Sequence, residues 1–261
     1  VVREGDSDLA REIRALTESV SALEARVAIA ENGPRSTAAI DPDALQAAVA
    51  AYLEGRTVEA STISADDVAS MELGSAEDIV ELLANAGSIE STELWKRIVA
   101  EGLVDEVLAV YAAAAEANAN DPEAQLALGE AYLGVTQEAG ASPLAGKYAT
   151  LADQALDRAL DLDPQHWDAR FTKATALSFW PPIFGKQAAA IQQFEILVDQ
   201  QKGMTPNPYH ANTHLLLGNM YQQTGQMDKA LQAWNSGLEM YPGNSDLAAQ
   251  IALASGSGGG Y

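Results

Sequence analysis

A spaced set of small, aromatic and aliphatic residues recurs along the second half of the chain, and it constrains the fold more than any other feature. Leu217-Gly218 is followed by Tyr221, then Ala230, Trp234, Gly237 and Pro242. An earlier copy reads Leu128-Gly129, Tyr132, Ala152, Leu156, Ala159 and Pro164. Between them stand Ala174, Leu177, Ala190, Phe194 and Leu197, without a closing proline. A degenerate copy precedes these, with Gly102, Asp105-Glu106, Val107, Tyr111 and Ala114, ending at Asp121-Pro122. From residue 75 the chain reads as helices joined by short polar turns, and no stretch alternates as a strand would. Ser75-Ala-Glu-Asp78 has the form of a capping box. A helical hairpin cannot bury its apolar face alone, so three or more must stack. The expected fold is all-α.

These offsets resemble the tetratricopeptide repeat, over about residues 91–242. The 12-residue step from Gly218 to Ala230 matches the family spacing without a gap. The first copy needs 11 extra residues in its turn, around Gly140 to Gly146, and the middle copy 4, within 179–186. The resemblance implies a helical-hairpin solenoid in which Gly218 lies where two helices cross, Ala230 opposes it and Trp234 packs the seam. Ser245 to Ala254 reads as a capping helix, with Leu247, Ile251 and Leu253 covering the last repeat.

The family binds peptides or protein segments on a concave face and is generally not catalytic. Its groove-lining positions correspond here to Glu123, Leu126, Glu130 and Leu133, then Asp168, Phe171, Thr175 and Ser178, then Asn212, Leu215, Asn219 and Gln222. This implies an apolar line of Leu126, Phe171 and Leu215, with acids at one end and amides at the other. The amides suit a peptide backbone, since each offers a donor and an acceptor. The basic pair that clamps acidic tails in some members is missing, so the expected partner is a neutral to basic protein or peptide. Phe179, Trp180 and Phe184, around Pro181-Pro182, form a second candidate contact loop, or fold back to cover the seam between hairpins.

Upstream, Leu9, Ile13, Leu16, Val20, Leu23 and Val27 are spaced 4, 3, 4, 3, 4. β-Branched residues at one heptad position and Leu at the other favour a parallel two-stranded coiled coil, hence a homodimer. The other reading is an amphipathic helix folded onto its own domain. The organisation is thus a coiled-coil helix over 1–31, an acidic linker with a short helix over 32–74 and a helical lead-in over 75–120. Three repeats and a capping helix follow over 121–254, then a flexible tail over 255–261. Val at position 1 reads as the end of a removed signal peptide or of a membrane anchor upstream of residue 1. That places the chain outside the cytoplasm, on the periplasmic side, with a truncated cytoplasmic protein as the alternative. The coiled-coil-plus-repeat layout looks like that of bacterial envelope proteins that couple to larger assemblies.

Composition removes other classes. The chain has 15 Lys+Arg against 37 Asp+Glu, a net charge of −22, which argues against nucleic acid or an anionic membrane as partner. Without cysteine there is no disulfide framework or thiolate chemistry. His210 and His214 share a helix face, but the third ligand and the neighbouring glutamate of a zinc-protease motif are missing. No phosphate loop, dinucleotide fingerprint, nucleophile elbow or calcium loop occurs. No catalytic residue, metal or cofactor is therefore expected. Three readings remain: a peptide-binding scaffold, a structural or assembly subunit of a larger complex, and an enzyme with an unrecognised site.

Overall fold

The computed structural model describes residues 64–140 and 142–256, and among these every regular element is helical. The coiled-coil seam, the short helix expected in the acidic linker and the end of the flexible tail lie outside the described residues. In chain order the helices are α1 (Ala65–Ser70), α2 (Ala76–Asn85), α3 (Ser88–Glu101), α4 (Val104–Ala117), α5 (Pro122–Glu138) and α6 (Pro143–Leu162). Then come α7 (Trp167–Ser178), α8 (Gln187–Gln201), α9 (Ala211–Gln223), α10 (Met227–Met240) and α11 (Ser245–Gly256). Single 3₁₀ turns precede α8 (Pro182–Phe184) and α9 (Pro208–His210).

Local chemistry explains the helix starts. Ser75 receives the Asp78 N–H at 3.3 Å while Asp78 accepts the Ser75 N–H at 2.8 Å, the reciprocal cap expected there. These backbone and hydroxyl hydrogen bonds hold the Asp78 carboxyl below its ordinary range. Asp121 and Ser142 cap α5 and α6, each followed by proline at the first helical position. Ser64 and Asp67 form a second reciprocal cap, at α1, inside the stretch expected to be linker. There Val68 is buried, and the Arg97 guanidinium donates to the Val68 and Met71 carbonyls at 2.6 and 2.7 Å. A six-residue helix with one buried apolar side chain has no period to detect, which is why it reads as linker.

The hairpins α5–α6, α7–α8 and α9–α10 form an all-α stack of tetratricopeptide-like pairs, each leaning on the next. Gly218 lies against the Trp234 indole so closely that even a Cβ would collide with it. Gly129 meets Leu156 in the same way, where a Cβ would fall 3.0 Å from its Cγ. The first-repeat insertion is not a loop. Only four residues separate α5 from α6, and the extra residues lengthen the two helices to 17 and 20 residues. At the far end Leu247 is buried and Ile251 partly so, as a cap requires, but Leu253 faces solvent.

Two large apolar cores and two small clusters result among the described residues. Ile79, Trp95, Ile98, Val107, Val135 and Tyr148 join the lead-in helices to α5 and α6. Phe171, Phe194, Leu197, Leu217, Met220, Trp234 and Leu247 fill the other. The helices α3 and α4 barely touch each other: α3 packs on α1 and α5, and α4 on α2 and α5. Trp95 of α3 lies flush against Gly134 of α5, leaving no room for a Cβ. Gly134→Ala is therefore expected to overpack this contact and cost about 1–3 kcal/mol. Urea unfolding followed by tryptophan fluorescence measures it, and an unchanged midpoint would refute the close approach.

Candidate protein-interaction surface

The helix α5 touches α7, and α7 touches α9, whereas α6, α8 and α10 make no comparable contact with one another. The first helices thus form the more closely packed layer. Of the residues expected on that side, Glu123 is exposed, and Glu130, Leu133, Asp168, Asn219 and Gln222 are half-buried. Thr175, Ser178 and Asn212 are buried.

The apolar line is part of the core. Leu126 and Phe171 are each only 1% exposed, and Leu215 is also buried. Leu126 packs with Leu156, Ala159 and Ala169. Phe171 is stacked on Trp167 with ring centroids 5.0 Å apart and meets Phe194 edge-on at 6.2 Å. The expectation that these three side chains supply ligand-facing apolar area is thus corrected. The aromatic rings of Trp167 and Tyr209 close over Phe171, so what this side presents is mostly polar.

One anchoring contact on this side is well defined. His166 Nδ1 accepts the Ala169 N–H at 3.3 Å and so caps α7. The ring proton then lies on Nε2, which donates to Glu123 Oε1 at 3.1 Å and ties the start of α5 to the start of α7.

Equivalent positions of α5, α7 and α9 bury a polar residue each: Gln125, Arg170 and His214. Gln125 donates to the Ala115 carbonyl at 3.2 Å and accepts from Arg158 Nε at 3.2 Å. Arg170 donates to the Pro164 carbonyl and to Gln193, both at 2.6 Å. Lys173 occupies the place that Leu128 and Leu217 hold in the other repeats. It is buried, with its ammonium on Asp153 and, at 2.8 Å, on Asp157 of α6. Charged residues among the apolar positions of α7 were the signal for this seam.

His210 and His214 do not converge on a shared ligand. The His210 ring lies 4.5 Å from Trp167 and His214 is buried near Tyr241, 6.1 Å between centroids. Burial pushes both imidazoles below their ordinary value, against an opposing pull from Asp168 on His210 and from the Ala233 backbone on His214. The folded protein therefore binds fewer protons than the unfolded chain. Stability is expected to fall as pH drops below about 6.5, where free histidine protonates. Urea titrations at pH 7.5 and pH 5.5 with His214→Gln alongside check this: the variant should lose part of the pH dependence.

The aromatic loop between α7 and α8 has a divided character. Phe179 and Phe184 are 48% and 56% exposed. Trp180 folds back onto the core and meets Phe184 edge-on at 5.2 Å. Lys186 lies 5.5 Å above the Trp180 ring and 3.3 Å from Asp153, so the loop is fastened to α6. Gly185, at φ +67°, makes the left-handed turn into α8.

No family model and no curated protein matches the chain. Among solved structures it is similar to TTC0263, a thermophilic TPR protein of Thermus thermophilus, at 18% identity and a TM-score of 0.48, covering 81% of this chain and 97% of that one. A crystal structure of MamA matches at 23% identity and a TM-score of 0.46, over 62% of this chain and 83% of that one.

Proposed function

We propose that the protein is a non-catalytic interaction scaffold that holds a polypeptide segment against the layer formed by α5, α7 and α9. The observation that carries this reading is the continuous side-by-side packing of those three helices. The reading is supported by partly accessible carboxylates at Glu123, Glu130 and Asp168 and partly accessible amides at Asn219 and Gln222 on these helices, the Asn219 Oδ1 itself being buried. Amides supply both donors and acceptors to an extended backbone, and carboxylates favour a neutral to basic segment. Because Phe171 and Leu126 are core residues, affinity here rests on polar contacts and on the half-buried Leu133.

The test uses the partner recovered from native extract by the full chain. Asn219→Ala with Gln222→Ala is expected to weaken capture at any salt concentration. Glu123→Gln with Glu130→Gln should act chiefly at low ionic strength, since exposed charges are screened within about 8–10 Å under physiological conditions. Both double variants should melt with the parent. Capture that ignores all four substitutions would remove the site from this face. A second reading, a fixed subunit of a larger assembly, is favoured by the exposed Phe179 and Phe184 on a fastened loop. It predicts that Phe179→Ser with Phe184→Ser releases the partner while the groove variants do not.

A further inference from the structure

Antiparallel hairpins stacked in one orientation place every turn within a hairpin on one edge and every turn between hairpins on the other. The two edges differ in charge. The within-hairpin segments 136–150, 176–190 and 221–231 carry three lysines and two acids. The between-hairpin segments 116–125, 159–168, 199–210 and 239–248 carry nine acids and one lysine. Each lysine of the first edge is held over an aromatic ring of its own hairpin. Lys147 lies 4.8 Å from the Tyr148 centroid, Lys186 5.5 Å from Trp180 and Lys229 5.1 Å from Tyr221. Beside them, one exposed apolar group stands at every turn: Leu144 (46%), Phe179 with Phe184, and Met227 (39%). The acidic edge has its own exposed apolar residues, Leu162 and Met204.

We infer that the lysine edge of one copy docks on the acidic edge of a second copy. Lysines and apolar side chains at each turn of one edge, among them Lys186 shared with Asp153 of its own chain, meet the carboxylates and apolar side chains of the other, which are densest at segments 116–125, 159–168 and 239–248. The two edges are different surfaces, so the contact is heterologous. It leaves one edge of each kind free at the ends and builds an open series of copies. This contact is separate from the peptide-binding face and from any pairing through residues 1–31.

Sedimentation equilibrium of the full chain tests it, with Leu16→Glu and Leu23→Glu present in a parallel sample so that pairing through the heptad seam does not contribute. The average mass is expected to climb with concentration without a plateau, in both samples. Lys147→Glu, Lys186→Glu and Lys229→Glu together should weaken the association at least about tenfold. Glu116→Lys, Asp161→Lys and Glu239→Lys together should do the same. An equimolar mixture of the two triple variants should associate again, because the reversed edges now match. Phe179→Ser with Phe184→Ser, which touches no ion pair, provides a second probe of the same edge and should also weaken association. A mass independent of concentration, a plateau in the seam-disrupted sample, or association untouched by either the charge reversals or the phenylalanine pair would overturn the inference.

Discussion

Trp234→Ala is expected to produce the largest loss of stability of any single truncation in the last repeat, about 3–5 kcal/mol. The side chain is completely buried, and its indole N–H donates to the Leu215 carbonyl at 3.2 Å. Truncation opens a cavity between α9 and α10 and removes that donor. For a domain of this size the melting temperature should fall by roughly 6–20 °C. A coupled substitution tests the contact itself. Gly218→Ala pushes a methyl group into the five-membered ring of the indole. Trp234→Leu removes that ring altogether, so Gly218→Ala should cost less in the Leu background than in the parent. Additive costs would mean that residues 218 and 234 do not meet.

Lys173→Ala should be nearly as damaging, for an electrostatic reason. Its ammonium is buried, and its partner Asp153 is only partly exposed. Removing the cation leaves that carboxylate with Lys186 alone, at a cost of about 3 kcal/mol at pH 7. Burial raises the Asp153 carboxyl, but hydrogen bonds and charge from Lys173 and Lys186 outweigh it and hold the group below its ordinary range. A carboxyl depressed in the folded state stabilises above its unfolded value, about 3.9, and that contribution is lost as pH falls through the folded value. The deficit of the alanine variant should accordingly shrink when unfolding is measured near pH 3. A deficit equal at pH 7 and pH 3 would remove the ion pair from the explanation. Lys173→Met combined with Asp153→Leu should recover most of the loss, since apolar residues of similar volume replace buried pairs well.

What could be read from the residues follows from which forces act locally. The offsets of Gly218, Ala230 and Trp234 resemble the repeat pattern without a gap, and Gly218 does lie against Trp234, so the hairpin register of the last repeat was legible through that resemblance. The cap at Ser75 was equally local. Leu126 and Phe171 were misplaced because a family position states only where a Cβ stands. Whether the side chain meets ligand or core depends on what packs against it, here Leu156, Ala159 and Ala169 for Leu126, and Trp167 and Tyr209 for Phe171. The insertion in the first repeat misled for another reason. Glycines at 140 and 146 suggest a loop, yet Ser142-Pro143 restarts a helix between them, and the added residues extend α6 along α5. Gln125, Arg170 and Lys173 were passed over because polar residues on a helix are usually solvated, and their burial is a property of the neighbouring hairpin.

The Lys173 seam also divides the molecule into cooperative units. On its N-terminal side one apolar core runs from α2 to α6, and on its C-terminal side the other runs from α7 to α11. Where α6 meets α7, small alanine and leucine contacts are interleaved with charge. In a linear array each unit is held by its own core and by coupling to its neighbour, and the array parts where coupling is weakest. Amide hydrogen exchange should therefore resolve two opening events, one for each core. Because Asp153 also holds Lys186, parting at this seam would release the loop that carries Phe179 and Phe184.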